Sequence, residues 1–401
     1  MKHRLVIVTE IIAPYRIPVF NALAQHPEIE LRVIFLAKTD PSTRQWRIYA
    51  EEIRFSYQVL PSWRTRFKKY NLLLNQKVAA ALRKANPNVI VCGGYNYLAC
   101  WQALRWAKSN RVPFLLWCES TAKDNRASHR VVESLKQNFF DKCDGCIVPG
   151  MAAEEYVRQM GVSPEHIFVA PNAVDNHLFA SRANHARQNA SRVRAELDLP
   201  SQYFLFAGRL VKSKGIFELW EAYGSLTENL RSQFGLVFAG DGPLRPELER
   251  IAKSICPGTI RLAGFVQRDQ LASYYGLADC LVFPTHSDPW GLVVNEAMAC
   301  GLPVICGRSA GCAADLVKAN GRMIDPQNVD QLVLAMQEIA TDADLRRQMS
   351  DESLKIIRNY SPEICAAGIA QAALAYHSTP GISIERPSSS RAASQSAGAF
   401  D

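Results

Sequence analysis

The stretch FLFAGRLVKSKGIFELWEAY (204–223) decides the fold. Its opening apolar run reads as a strand buried on both faces, and Gly208 ends that strand in a turn. From Ile216 onward, apolar residues recur at helical spacing through Leu219, Trp220 and Tyr223. Strand, glycine turn and helix together form one unit of a parallel α/β sheet. The same grammar continues in GLVFAG (235–240), IRLAG (260–264), CLVFP (280–284) and PVIC (303–306). An earlier series holds LVIVT (5–9), LRVIFL (31–36), VIVC (89–92), FLLW (114–117) and CIVP (146–149), with helical patterns between, for instance over 17–25, 76–84 and 152–160. Continuous apolar runs, rather than alternating ones, mark strands covered by helices on both sides. Two such series predict two doubly wound α/β domains. The predicted boundaries are 1–178 and 201–358, joined by a polar, Arg/Asn-rich linker (179–200) that has no strand pattern. A closing helix follows over 359–376, and a Ser/Ala/Pro-rich tail (377–401) has the composition of a disordered segment.

The 401 residues are 48% hydrophobic and 21% charged, an ordinary globular composition for two cores. Lys and Arg number 46 against 38 Asp and Glu, a formal charge of +8 that calls for an anionic partner. The surplus is local: residues 1–180 hold 24 Lys+Arg against 15 Asp+Glu, and the remainder holds 22 against 23. It is densest in SWRTRFKKYNLLL (62–74). There the bland reading is a solvated loop and helix start, and the sharper one a patch for an anionic membrane surface. No apolar run approaches the roughly 18–20 residues of a spanning helix. The opening MKHRLVIVTE reads as a strand rather than an export signal, so the expected location is cytoplasmic, with peripheral contact at the inner membrane face. The eleven cysteines then read as core residues in a reducing compartment, Cys143-x-x-Cys146 included.

Two clusters carry chemistry. In the first, Gly208 ends a strand, Arg209 follows, and Lys214-Gly215 opens a helix. Guanidinium, ammonium and helix N-terminus together suit a diphosphate. In the second, VFPTHSDPWGLVVNEAMACGLPVI (282–305), a strand ends at Pro284 and a helix is predicted over 289–300. Asp288 fits its N-cap, with Pro289 at the first helical position. The amides of Gly291, Leu292 and Val293 face an anion in this reading. Glu296, among apolar neighbours, is placed to accept from a vicinal diol such as ribose.

Taken together, Gly208-Arg209-Leu210, Lys214-Gly215, GDGP (240–243), an acid-x7-Glu signature and NEAMACGLPVI (295–305) resemble the retaining family-four glycosyltransferases (glycosyl transferases group 1) of GT-B fold. GFV (264–266), ADCLVFP (278–284) and PNAVDNHLF (171–179) stand in the matching order. The resemblance implies two Rossmann-like domains facing across a cleft, the first on the acceptor side and the second binding a UDP- or GDP-linked sugar. It implies transfer of a hexosyl group, with retention and without metal or other cofactor, to a hydroxyl of a glycan or lipid-linked acceptor in surface polysaccharide or lipopolysaccharide synthesis. Arg209 and Lys214 would stabilise the leaving diphosphate, Asp288 would face the donor sugar, and Glu296 would hold the ribose. Gly208, Gly240, Asp241, Gly291, Leu292 and Val293 would line the donor, and Phe265-Val266 its base.

The departures from the pattern are Asp288 for Glu, Trp290 for Phe, Tyr15-Arg16 in place of a glycine pair, and Glu119 where many members have His. The shorter acid loses about 1.5 Å of reach. Arg16 becomes a candidate phosphate contact and Glu119 a candidate catalytic group for the acceptor hydroxyl. Gly93-Gly94-Tyr95 are candidates for the acceptor cleft. Asp342-x-Asp344 reads as a capped helix start rather than a metal motif, and His286 as an inert loop residue. A dinucleotide oxidoreductase lacks its glycine fingerprint here, and no nucleic-acid motif recurs. A non-catalytic GT-B relative is the surviving alternative.

Overall fold

The computed structural model describes residues 2–40, 44–67, 70–122, 130–255 and 258–376. The first sheet contains β1 (His3–Thr9), β2 (Ile29–Phe35) and β3 (Ser56–Val59). After a separate hairpin of β4 (Ser62–Phe67) and β5 (Tyr70–Asn75), it continues with β6 (Val89–Cys92), β7 (Phe114–Trp117), β8 (Gly145–Val148) and β9 (Ile167–Val169). Its order is β3-β2-β1-β6-β7-β8-β9, with every pairing parallel. The second sheet holds β10 (Gln202–Ala207), β11 (Phe234–Ala239), β12 (Ile260–Gly264), β13 (Cys280–Phe283), β14 (Val304–Gly307) and β15 (Gly321–Ile324). Its order, β12-β11-β10-β13-β14-β15, is the doubly wound pattern in which the chain starts centrally, runs to one edge, returns and runs to the other. Each sheet therefore has a crevice where the winding reverses, between β1 and β6 in the first and between β10 and β13 in the second.

All ten apolar runs become strands, and each central strand is buried along its length because helices cover both faces. Two pieces differ from expectation. Residues 179–200 are no bare linker: they fall in the helices Asn176–Gln188 and Ala190–Leu197, whose Phe179, Ala183, Ala186 and Val193 are buried in the second domain's core. Polar residues outnumber apolar ones there because only a narrow stripe faces inward.

The stretch 62–74 is neither loop nor helix start but an antiparallel hairpin. Arg64 is turned inward from it onto Asp40 (2.8 Å) and Glu10 (3.1 Å), so two carboxylates neutralise it. Trp63 is exposed. Lys68 and Lys69 lie outside the described residues, as does the tail 377–401.

The closing helix, Pro362–Ala375, leaves the second domain and returns to the first. There Cys365, Ile369, Ala370 and Ala373 complete the core that contains Leu5, Ile7, Phe20 and Val91. Gly368 lets it lie against β9, since a Cβ there would stand 2.3 Å from the Val169 carbonyl oxygen. The described cysteines, Cys143 and Cys146 among them, are buried free thiols. No helix among the described residues is long and apolar enough to cross a membrane.

Candidate active site

Both sequence clusters meet at the crevice between β10 and β13, beyond the carboxyl ends of the strands. Gly208, at φ 140°, turns the chain out of β10. It packs on the following turn so closely that a Cβ on Gly240 would sit 1.8 Å from its carbonyl. Leu210 N–H donates to Asp241 (2.9 Å), so the Gly208-Arg209 and Gly240-Asp241 turns form one unit. A single 3-10 turn, Lys212–Lys214, then leads to Gly215 in the left-handed region (φ 69°) and the helix Ile216–Gly224. A Cβ on Gly215 would lie 1.9 Å from the Pro284 carbonyl oxygen. That contact brings Lys214 against the loop after β13. Thr285 Oγ1 donates to the Ser213 carbonyl (3.0 Å), as does His286 N–H (2.9 Å), which locks the two loops together. His286 is also held by Glu218 at 2.8 Å.

Lys214 Nζ donates to Asp288 Oδ2 at 2.5 Å and to the Ser287 carbonyl at 3.1 Å. Arg209 is exposed and its guanidinium makes no ion pair among the described residues. One cation is thus anchored and the other poised. Asp288 is not the N-cap: its Oδ1 accepts from Trp290 N–H (3.1 Å), and the cap is Gly291 at φ 99°. The helix is Leu292–Ala299, three residues later than Asp-Pro suggested, because residues 288–290 pair with 310–312 instead of coiling. Its first amides, at Leu292 and Val293, have no intrahelical acceptor, and they follow the 287–288 loop that Lys214 holds, an arrangement that suits an anion. Trp290 is buried, and its indole N–H donates to Asn295 (2.8 Å), which in turn donates to the Asn172 carbonyl (2.9 Å) in the segment joining the domains. A phenylalanine could not make that link.

Glu296 lies one turn into this helix and accepts from Tyr275 Oη at 2.8 Å. Burial pushes its carboxyl up to about 7, against the lowering effects of Tyr275 and Arg268. The Tyr275 hydroxyl, itself raised by burial, stays protonated and donates. At the carboxyl end of β12, Gly264 (φ 75°) turns the chain so that Phe265 is exposed while Val266 is buried.

Across the cleft, at the reversal between β1 and β6, Arg16 bonds Glu119 and lies over the Trp117 ring at 3.8 Å. Two of the first-domain candidates therefore form one ion pair. Gly93 N–H continues the sheet to the Val8 carbonyl, and Gly94 has φ 142°. Tyr95 packs on Phe139 and Phe140 and reaches Ser120 at 3.3 Å.

The sequence reading missed the bridge between the domains. Arg268 forms a two-toothed pair with Glu52 and covers Tyr49 at 3.9 Å. Gln267 accepts from Arg47 N–H (3.1 Å) and donates to the Gln45 carbonyl (3.2 Å). On the far side, the Asp315 carboxylate accepts from Met151 N–H at the start of the helix Met151–Gln159. Long-range ion pairs of this kind leave no spacing signal. Asp342 caps the helix Ala343–Ile357 through Leu345 N–H (2.8 Å), as its motif suggested. Among the described residues, no three His, Cys, Asp or Glu side chains stand close enough to share a metal ion.

Two family models match the chain: Glycosyltransferase Family 4 over residues 21–178 and Glycosyl transferases group 1 over residues 188–355. An uncharacterized glycosyltransferase of Methanocaldococcus jannaschii is 27% identical over 63% of this chain and 66% of its own length. A D-inositol 3-phosphate glycosyltransferase of Xylanimonas cellulosilytica is 34% identical over 43% of this chain and 42% of its own. The chain thus spans between about two fifths and two thirds of these relatives. The structure of Anabaena HepE in complex with UDP superposes with a TM-score of 0.72 at 17% identity, covering 94% of this chain and all of that one. Fold, motif order and both family models agree: the chain belongs to the group 1, family 4 glycosyltransferases of GT-B fold.

Proposed function

We propose that the protein transfers a hexosyl group from a UDP- or GDP-linked sugar to a hydroxyl of a glycan or lipid-linked acceptor, with retention at the anomeric carbon and without a metal. The observation that carries this reading is the convergence of Arg209, Lys214 and the Leu292–Ala299 N-terminus at one crevice. In the reaction, the bond from the anomeric carbon to the phosphate oxygen breaks and a bond to the acceptor oxygen forms. Negative charge grows on the departing diphosphate, and fixed cations and amides that meet it stabilise the transition state more than the ground state. The acceptor proton leaves to that phosphate or to Glu119, which Arg16 anchors on the acceptor side. Glu296 holds the ribose. Asp288, tied to Lys214, orients that ammonium and faces the sugar.

A nucleotide-sugar-binding protein without transfer is the second reading, favoured by Asp288 being engaged with Lys214 and one methylene short of the family's Glu. Incubation with a panel of UDP- and GDP-sugars separates the two. Release of free nucleotide diphosphate supports transfer, and binding without turnover across the panel supports the alternative.

A further inference from the structure

Residues of the loop after β2 line an open groove of about 460 Å³ that the transfer reaction leaves unused. Lys38, Arg44 and Arg47 line it together with Trp46, Tyr49 and Glu51. Its charge is unbalanced. Arg47 is paired with Glu51, whereas Lys38 and Arg44 have no acidic partner among the described residues. Asp40, the nearest buried acid in sequence, is already committed to Arg64. Arg44 is held over the Trp46 ring at 4.7 Å, so its guanidinium is placed rather than loose. The Trp46 indole N–H is buried and has no acceptor among the described residues. Tyr49, which forms the far wall, is fixed at φ 54°, a left-handed conformation uncommon outside glycine and met where a site is held in shape.

The groove's position is as informative as its charge. Trp46 edges onto Tyr15 at 6.1 Å, and Tyr15 precedes the Arg16–Glu119 pair at the first domain's reversal point. On its other side, Arg47 and Gln45 bond Gln267, two residues beyond Phe265 at the rim of the second domain. The groove therefore adjoins the cleft, on the acceptor side, beyond the carboxyl ends of the strands. A surplus of two positive charges matches one phosphate monoester, which carries about −1.5 to −2 at neutral pH.

We propose that this open groove, lined by Lys38, Arg44 and Trp46, is a subsite for the phosphate group of a phosphorylated acceptor. The assignment rests on the transfer reaction proposed above and names the class of acceptor it uses. It also gives the first domain's positive surplus a specific place, where the hairpin 62–74 has its Arg64 neutralised.

Isothermal titration of the full chain with inositol 3-phosphate and with myo-inositol, each with and without saturating UDP, tests it. The expected result is measurable binding of the phosphate ester alone, undiminished by UDP and weakened by added salt. The Lys38→Ala/Arg44→Ala double variant should lower that affinity at least about tenfold, since it removes two charge-assisted contacts. Glu51→Ala, which releases Arg47, should raise the affinity. Equal binding of ester and inositol, displacement of the ester by UDP, or a double variant that binds like the parent would each overturn the subsite. Titration of the unmodified protein with UDP and GDP reports on the donor reading separately. If neither nucleotide binds while the ester does, the acceptor role falls with the transfer reaction and an anion site alone stands.

Discussion

Glu296 offers a prediction whose size can be worked out. Its carboxyl, raised from an ordinary 4.5 to about 7 by burial, is harder to ionise in the folded chain than in the unfolded one. Between those two values the unfolded state gives up its proton and the folded state keeps it. The folded state therefore loses stability as pH rises from about 4.5 to about 7, and the loss is constant above that. At about 1.4 kcal/mol per pH unit, the deficit is about 1 kcal/mol at pH 5 and about 3 kcal/mol at pH 8. The residue is only half-buried, so these figures are upper bounds. Glu296→Gln keeps an oxygen for Tyr275 and removes the titration. It should therefore be more stable than the parent by a margin that widens from pH 5 to pH 8. Urea unfolding at both pH values, followed through the second domain, measures the margin as a shift in midpoint. The same substitution should weaken binding of a nucleotide-sugar at pH 8 and abolish the rise in affinity between pH 6 and pH 8 that an ionising ribose ligand confers. A stability margin that stays flat or narrows with rising pH would refute the reasoning.

Other perturbations address the remaining parts of the site. Arg209→Ala and Lys214→Ala should each reduce donor turnover by about a hundredfold or more, read as nucleotide release, because both meet charge that grows in the transition state. Unchanged turnover in both would move the diphosphate elsewhere. Asp288→Asn should leave Lys214 without its anionic partner, tightening UDP binding in calorimetry while slowing transfer; weaker UDP binding would show that Asp288 does not compete with phosphate. Gly215→Ala combines a left-handed backbone with a Cβ 1.9 Å from a carbonyl oxygen, so a loss of more than about 1–2 kcal/mol is expected together with weaker donor binding. An unaltered melting curve would mean that the loop after β13 yields freely.

The sequence made the sheet centres legible because strands such as VIVC (89–92) and CLVF (280–283) are buried on both faces and carry nothing but apolar residues. It left the edges obscure. SYQV (56–59) and IFV (167–169) have partners on one side only, so half-exposed and polar residues are tolerated there and no run stands out. The hairpin 62–74 was hidden because its positive charges dominate the pattern, although Arg64 is answered by Glu10 and Asp40 from elsewhere in the chain. In the site, Arg209, Lys214, Asp288 and Glu296 could be found because each lies a fixed step from a strand end or helix start. Tyr275 and Arg268 could not, since their roles come from the packing of one helix against another or against the opposite domain. Asp288-Pro289 misled for a related reason. A local rule for helix starts was overridden by pairing with residues 310–312, more than twenty positions away.

The helix Pro362–Ala375 has a consequence for how the protein is made. It supplies Ile369, Ala370 and Ala373 to a core whose Leu5, Ile7 and Phe20 are synthesised more than three hundred residues before it. A ribosome delivering the chain from its N-terminus at about 5–20 residues per second presents the first domain with an uncovered apolar face while the whole second domain is still being added. That interval lasts on the order of ten seconds or more at those rates. The domain that begins folding first is the last to be finished, and the surface awaiting its final helix is the natural one for a chaperone to shield.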